Sequence, residues 1–219
     1  MTTDDRTRAD ILRDWFIGVL TPAARRLDRM HPNSMSLVAL AVGVAAGACY
    51  WQGHRLPVLF AVGGLLAGAS GVLDGLDGVM ARLHGRTSRL GDFLDHFYDR
   101  LVEIAIFGGL ALSPYSSLVL GLGVVIVVVL NSYLGTQIQA SFGRRFYTGV
   151  GKAELFAALV VGSLLLAFNP DVSLTVLELQ LTPIDLFFLL VVVMAMQAMV
   201  HRVRLAHRLA GEERGAGEA

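Results

Sequence analysis

The sequence predicts an all-α, polytopic membrane protein with six transmembrane helices and an N-terminal interfacial amphipathic helix. Three observations lead there. Of the 219 residues, 54% are hydrophobic and the mean hydropathy is +0.60, more apolar than a soluble domain of this length. Six apolar stretches, near 35–53, 57–81, 91–111, 116–141, 151–168 and 183–201, each approach the roughly 20 helical residues that cross a bilayer core. Lys and Arg counts alternate 6, 1, 3, 0, 3, 0, 4 from the N-terminal region through the connections to the tail. Positive charge stays on the cytoplasmic side, so both termini and the loop after the second span belong there.

Taken in order, residues 1–33 form a cytoplasmic and interfacial region, 34–204 the six-helix domain and 205–219 a cytoplasmic tail. Asp4, Asp5, Asp10 and Asp14 precede any long apolar run, which is unlike a cleavable secretory signal. Ile11, Leu12, Trp15, Phe16, Val19 and Leu20 recur at helical spacing, giving a helix suited to the membrane surface or to packing beneath the bundle. Thr21-Pro22 predicts a break, with Thr21 capping a second piece of helix. The second span carries Gly63, Gly64, Gly68, Gly71, Gly75 and Gly78. One bare helical face of this kind lets a neighbouring backbone come close, here expected to be that of the third span. The fourth span contains the run Val124 to Leu130, which in so long an apolar segment reads as membrane helix. The segment from Gly211 to Ala219 reads as disordered. Cys49 is the only cysteine, so an intrachain disulfide is excluded and a small core residue is expected. Formal net charge is zero, so no global field draws the chain to nucleic acid.

The chemistry concentrates between residues 74 and 99. Asp74, Asp77, Gly78, Ala81, Arg82, Gly91, Asp95 and Asp99 form the array D-x2-D-G-x2-A-R-x8-G-x3-D-x3-D. Asp74 and Asp77 are three apart and Asp95 and Asp99 four apart, so each pair shares a helical face. Four carboxylates at the edge of apolar segments repel one another and resist desolvation. A divalent cation is the economical compensation. All-oxygen ligands suit Mg2+ or Mn2+, with no Cys or His cluster to favour zinc. His84 and His96 are expected to be packing or surface residues. Asp92 near a helix start favours the helix dipole, whereas Glu103, one turn deeper than Asp99, needs a partner, for which Arg100 or a hydroxyl could serve.

The array resembles the signature of the CDP-alcohol phosphotransferase family, with every fixed position filled. The resemblance implies that Asp74, Asp77, Asp95 and Asp99 hold metal, and that Asp99 is also the general base on an acceptor hydroxyl. The donor would be a CDP-linked lipid or CDP-linked alcohol and the leaving group CMP. Gly78, Ala81 and Gly91 would leave room for the nucleotide, Arg82 would contact phosphate or fix the loop, and Ser88 would bind the nucleotide. Pro32-Asn33 resembles a pair common in the family, which makes Asn33 a donor-site candidate; the plainer role is that Asn33 or Ser34 caps the first span. A homodimer is also implied.

The acceptor is an alcohol. Arg144, Arg145, Lys152, Arg202 and Arg204 fall on the same side as the array and suit an acceptor with its own phosphate, such as inositol phosphate or glycerol phosphate. The same residues equally satisfy the positive-inside rule as anchors. The competing class is a membrane cation transporter, since intramembrane carboxylates also mark ion pathways.

Overall fold

The computed structural model describes residues 8–27, 30–143, 152–169, 173–176 and 179–217. Among them are seven helices: α1 (Arg8–Arg26), α2 (Pro32–Gln52), α3 (Val58–Leu83), α4 (Arg89–Ala111), α5 (Leu118–Phe142), α6 (Lys152–Phe168) and α7 (Pro183–Gly217). Four of them, α2, α3, α5 and α7, are long and apolar enough to cross a membrane. The two others expected to span differ for physical reasons. Helix α4 carries Asp92, Asp95, Asp99, Arg100 and Glu103 in its first two thirds. Helix α6 has 17 residues, about 26 Å at 1.5 Å per residue, slightly short of a 30 Å hydrocarbon core.

Local chemistry sets several helix ends differently from the sequence expectation. Helix α1 is continuous through Pro22, so Thr21-Pro22 does not break it. Proline costs a backbone hydrogen bond there, while Thr21 is no cap and donates its hydroxyl to the Ile17 carbonyl at 2.7 Å. Packing holds the helix together: Leu20 and Ala24 are buried with Met35, Leu76, Val79 and Met80. The side chains of residues 8–16, which carry most of the expected amphipathic pattern, lie outside those described. Helix α2 is capped by His31, whose Nδ1 accepts from the Asn33 N–H at 3.2 Å, and not by Asn33 or Ser34. Pro32 follows at the first helical position, where a missing N–H costs nothing. Helix α7 runs to Gly217, so the tail is helical rather than disordered up to that point; extending a nucleated helix is far cheaper than starting one.

A two-stranded antiparallel hairpin, β1 (Leu174–Val176) and β2 (Leu179–Leu181), lies between α6 and α7, pairing Leu174 with Leu181 and Val176 with Leu179. The sequence reading did not anticipate it. Beside it, buried Asp185 ties two helix starts together. Its carboxylate accepts from the Ser117 N–H at 2.8 Å, ahead of α5, and from the Thr182 N–H at 3.1 Å, ahead of α7. Thr182 Oγ1 in turn accepts from the Asp185 N–H at 3.1 Å, completing a reciprocal cap on α7. One carboxylate thus faces the positive ends of both helices.

Helix α2 is the centre of the bundle. It packs against α3 on one side and α4 on the other, while α3 packs on α6 and α1, α4 on α5, and α5 on α7. Helices α3 and α4 thus share α2 as a main packing partner. The approach is closest where glycines meet. A Cβ on Gly47 would run into the Ala105 carbonyl and one on Gly109 into the Gly47 carbonyl. The glycine face of α3 serves a different contact from the one expected. Added carbons at Gly64, Gly68 and Gly71 would meet Ser163, Val160 and Phe156 of α6, so this face seats α6 rather than α4. Tyr50, Phe60, Ile106, Phe107, Ile184 and Phe188 fill the core, and the Tyr50 hydroxyl meets Ser163 Oγ at 2.7 Å.

The α2–α4 contact is backbone against backbone, so it cannot relax by moving a side chain. Gly47→Ala should destabilise the protein by roughly 1–3 kcal/mol, the usual cost of overpacking. Thermal unfolding in detergent would register this, with Gly123→Ala, where an added carbon meets nothing, leaving the midpoint near wild type.

Candidate active site

The site is built where α3 ends and α4 begins. Asp74 and Asp77 stand in the last turns of α3. The chain then turns through Gly85, which has φ +62°, and restarts at Ser88. Ser88 Oγ caps α4 by accepting from the Gly91 N–H at 3.0 Å. Asp95 and Asp99 follow on the first turns of α4. The turn itself is docked on the α1–α2 junction. Arg86 Nη1 donates to the Met30 carbonyl at 3.2 Å and His84 Nε2 lies 3.3 Å from the Ala24 carbonyl. His84 is thus a packing residue. His96 faces Asp92 at 4.0 Å.

Across α2 the two acidic helices converge. Asp74, Asp77 and Asp95 each offer an oxygen within 4.8 Å of the others, and Asp77 is buried. Asp99 lines the same small cavity as Asp74 and Asp95, with Ser36, Ala39 and Leu40 of α2 as its floor and Phe156 of α6 beside it. Small residues on α2 let carboxylates from either side reach over it. A cation between them would offset the repulsion of three like charges so close together. Oxygens bound to one Mg2+ stand at most about 4.2 Å apart, twice a 2.1 Å bond. Small side-chain adjustments therefore suffice to close this set on one ion. The donors are carboxylates without Cys or His, and they fit Mg2+ or Mn2+.

The remaining array positions have visible local roles. The Arg82 guanidinium lies beside Gly78, its Nη1 3.4 Å from where a Cβ would stand. A side chain at Gly91 would crowd Ser88 Oγ at 3.1 Å and Asn33 Oδ1 at 3.4 Å. Asn33, Ser88 and Gly91 therefore meet at one spot, where the starts of α2 and α4 come together. Ala81 is half-buried on α3.

The basic residues expected around the acceptor are not gathered in the same way. Arg144 and Arg145 lie outside the described residues, as does the side chain of Lys152. Arg202 is held on α5, donating to the Asn131 carbonyl and to Asn131 Oδ1 at 2.7 Å, and packs against Gly135. Arg204 is exposed. Two residues apart on a helix point about 200° from each other, so these two do not line one pocket.

Ser36, Tyr98, Asn131 and Ser132 were not singled out from the sequence, whereas Arg100 was a candidate partner of Glu103. Ser36 and Tyr98 line the cavity. Arg100 stands 3.6 Å from Asp99 and 3.4 Å from Glu103. Ser132 donates to Glu103 Oε1 at 2.8 Å, which supplies the partner that Glu103 required. Asn131 and Ser132 immediately follow the valine run of α5, and their polarity inside a long apolar helix was the available signal.

The profile of the CDP-alcohol phosphatidyltransferase family matches residues 29–203. No curated protein matches by sequence. Among solved structures, the chain resembles phosphatidylinositol phosphate synthase of Mycobacterium tuberculosis in three states. With CDP-DAG bound, the TM-score is 0.67 at 22% identity, covering 85% of this chain and 92% of the other. In complex with manganese and citrate it is 0.66 at 23% identity, covering 84% and 87%. In the apo form it is 0.64 at 23% identity, covering 84% and 93%. At these identities the likeness establishes a shared fold.

The geometry makes Asp77 the buried member of the cluster. Asp77→Asn should weaken Mn2+ binding to the purified protein by at least about tenfold, or ~1.4 kcal/mol, in a calorimetric titration. Asp92→Asn, outside the cluster, should stay near wild type; equal affinities for the two variants would take Asp77 out of the ligand set.

Proposed function

The chain belongs to the CDP-alcohol phosphatidyltransferase family, a membrane transferase of phospholipid biosynthesis that depends on Mg2+ or Mn2+, and on that premise we propose how its residues divide the work. The donor is a CDP-linked lipid and the acceptor an alcohol, here a phosphorylated polyol such as inositol phosphate or glycerol phosphate. Family membership decides between the transferase and cation-transporter readings in favour of the former. The observation that carries the residue assignment is the convergence of Asp74, Asp77 and Asp95 on one point, with Asp99 lining the same cavity.

Asp74, Asp77, Asp95 and Asp99 hold the divalent ion. When bound, it supplies charge neutralisation on the donor diphosphate and on the departing CMP. Asn33, Ser88 and Gly91 form the edge where the nucleotide rests, with Gly78, Ala81 and Arg82 on the facing side. Two helix starts meet there, and their N–H groups favour phosphate. Asp99 accepts the proton of the acceptor hydroxyl as its oxygen attacks the lipid-bearing phosphorus. The bond from that phosphorus to the CMP oxygen breaks, and CMP departs with the electron pair. A carboxylate near a divalent cation is a weak base, so its contribution comes from position.

A phosphorylated acceptor is supported by Arg202, held part-buried between α5 and α7 and within electrostatic range of Arg100 and Glu103 on α4. Arg144, Arg145 and Lys152 extend the same basic side by charge distribution, and Arg204 belongs with them as a membrane-side anchor. The same distribution puts both termini and the site on the cytoplasmic face of the cell membrane, with six crossings, α4 and α6 included. Homodimerisation fits the apolar stripe that α4 leaves exposed, Leu90, Phe93, Phe97 and Ile104, where Phe93 and Phe97 stack at 6.4 Å.

Two measurements test this reading. Asp99→Asn should fold and bind nucleotide while kcat for CMP release falls by at least about 100-fold, within the usual range for removing a general base; unchanged turnover removes Asp99 from that role. In a screen with a CDP-diacylglycerol donor, CMP should appear with a phosphorylated polyol and not with the free alcohol. The opposite pattern overturns the acceptor class and would leave Arg202 a structural residue.

A further inference from the structure

We propose that Glu103 is a positioning residue for the transfer reaction: by sharing Arg100 with Asp99, it keeps the Asp99 carboxylate available to the metal and the acceptor hydroxyl. The inference rests on the assignment of Asp99 given above. Glu103 is buried at 8% exposure, one helical turn deeper than Asp99. Its Oε1 accepts from Ser132 on α5 at 2.8 Å, which fixes the carboxylate between two helices. Arg100 lies between the two acids. Its Nη2 is 3.6 Å from Asp99 Oδ2 and its Nε 3.4 Å from Glu103 Oε2.

Both separations exceed the roughly 2.7–2.9 Å of a direct charge-assisted hydrogen bond. Arg100 Nε and Nη1 are buried and have no hydrogen-bond partner among the described residues. The guanidinium is thus drawn toward two carboxylates and closed onto neither. Arg202, anchored on Asn131, lies within electrostatic range of Arg100 and Glu103, which adds a second cation near Glu103. Stability does not account for such an arrangement, because a buried ion pair is often no more stabilising than an apolar residue of the same size. Without the Glu103 charge, Arg100 would turn to Asp99. Arginine prefers a two-point grip on a carboxylate, and that grip occupies the oxygens that the ion and the acceptor hydroxyl require.

Glu103→Gln in the full-length protein keeps the size and the acceptor for Ser132 while removing the charge. It should lower kcat and weaken Mn2+ binding, measured by calorimetry without substrate, by about 10-fold each, the low end for partners that orient a metal ligand. KM for the CDP-linked donor should stay within about twofold and the unfolding midpoint near wild type, because only an orientation has changed. Adding Arg100→Gln to Glu103→Gln should restore Mn2+ affinity toward wild type, since the cation that captures Asp99 is gone. Were Glu103→Gln not to fold, Ser132→Ala should show the same pattern in weaker form, through a less fixed Glu103.

Wild-type kcat and Mn2+ affinity in Glu103→Gln would overturn the proposal. So would a double variant no better than the single one, or a lowered unfolding midpoint with Mn2+ affinity unmoved. Asp99→Asn separates the two levels. If it retains turnover, the assignment of Asp99 fails; if it is inactive while Glu103→Gln behaves as wild type, only the present inference fails.

Discussion

Mutual repulsion among aspartates at the membrane edge is the constraint on which the rest of this structure depends. Three carboxylate oxygens stand within 4.8 Å of one another, one of them from a buried residue. In a medium less polar than water such an arrangement is held only if the fold imposes it and a cation offsets it. The fold imposes it by packing both acidic helices on α2. Side chains from α3 and α4 then lean over a floor of Ser36, Ala39 and Leu40. A bulkier floor would part the carboxylates, and direct α3–α4 packing would leave no cavity above it.

The spacing is in turn set by glycine. Helix α4 reaches α2 with backbone against backbone at Gly47 and Gly109, and α3 meets α6 through Gly64, Gly68 and Gly71. Association in lipid has no hydrophobic drive of its own, so close packing of small residues supplies much of it. The same contacts that hold the bundle therefore fix the distance between the acids. At the far end Asp185 binds the starts of α5 and α7, and the arms that carry Ser132 and Arg202 inherit a defined separation from that tie.

Much of this was legible in the sequence, and what was not has physical causes. The position of every helix from α2 to α7 followed from apolar runs of near-spanning length, because a bilayer demands continuous helix. That Asp74 shares a face with Asp77 followed from their spacing, while their grouping with Asp95 of the next helix followed from the need of four repelling carboxylates for a common cation and from the family resemblance. Which helix would fill the glycine face was not readable: Gly64 and Gly68 announce a close neighbour without naming it, and α6 took that place. His31 displaced Asn33 as the cap because an imidazole nitrogen can accept the N–H as well as an amide oxygen can. Pro22 was read as a break, but burial of Leu20 and Ala24 on α3 outweighed its local cost. The hairpin of 174–181 is too short for period-two alternation to stand out. Arg202 and Arg204 were grouped by charge, although a helix turns 100° per residue and sends them to different faces.

Depth along α4 connects these observations to chemistry. Its polar residues run from Asp92 to Glu103 and give way to Ile104, Ala105, Ile106 and Phe107. Asp95 and Glu103 are eight residues apart, about 12 Å along the axis, which is the vertical extent of the polar site. A reaction between a lipid-linked diphosphate and a water-soluble alcohol needs such a gradient, since one partner is confined to the bilayer and the other excluded from it. A transmembrane ion path would call for polar groups at mid-bilayer on several helices. Here they gather in the first two thirds of α4, the last turns of α3, and Asn131, Ser132 and Arg202 of α5 and α7. The acid farthest along α4, Glu103, lies beside Arg100 and Ser132 and outside the aspartate cluster. The contacts of α4 thus change from carboxylates that could meet around a metal near its start to a carboxylate beside Arg100 and Ser132 farther along, with Asp99, the proposed base, at the boundary.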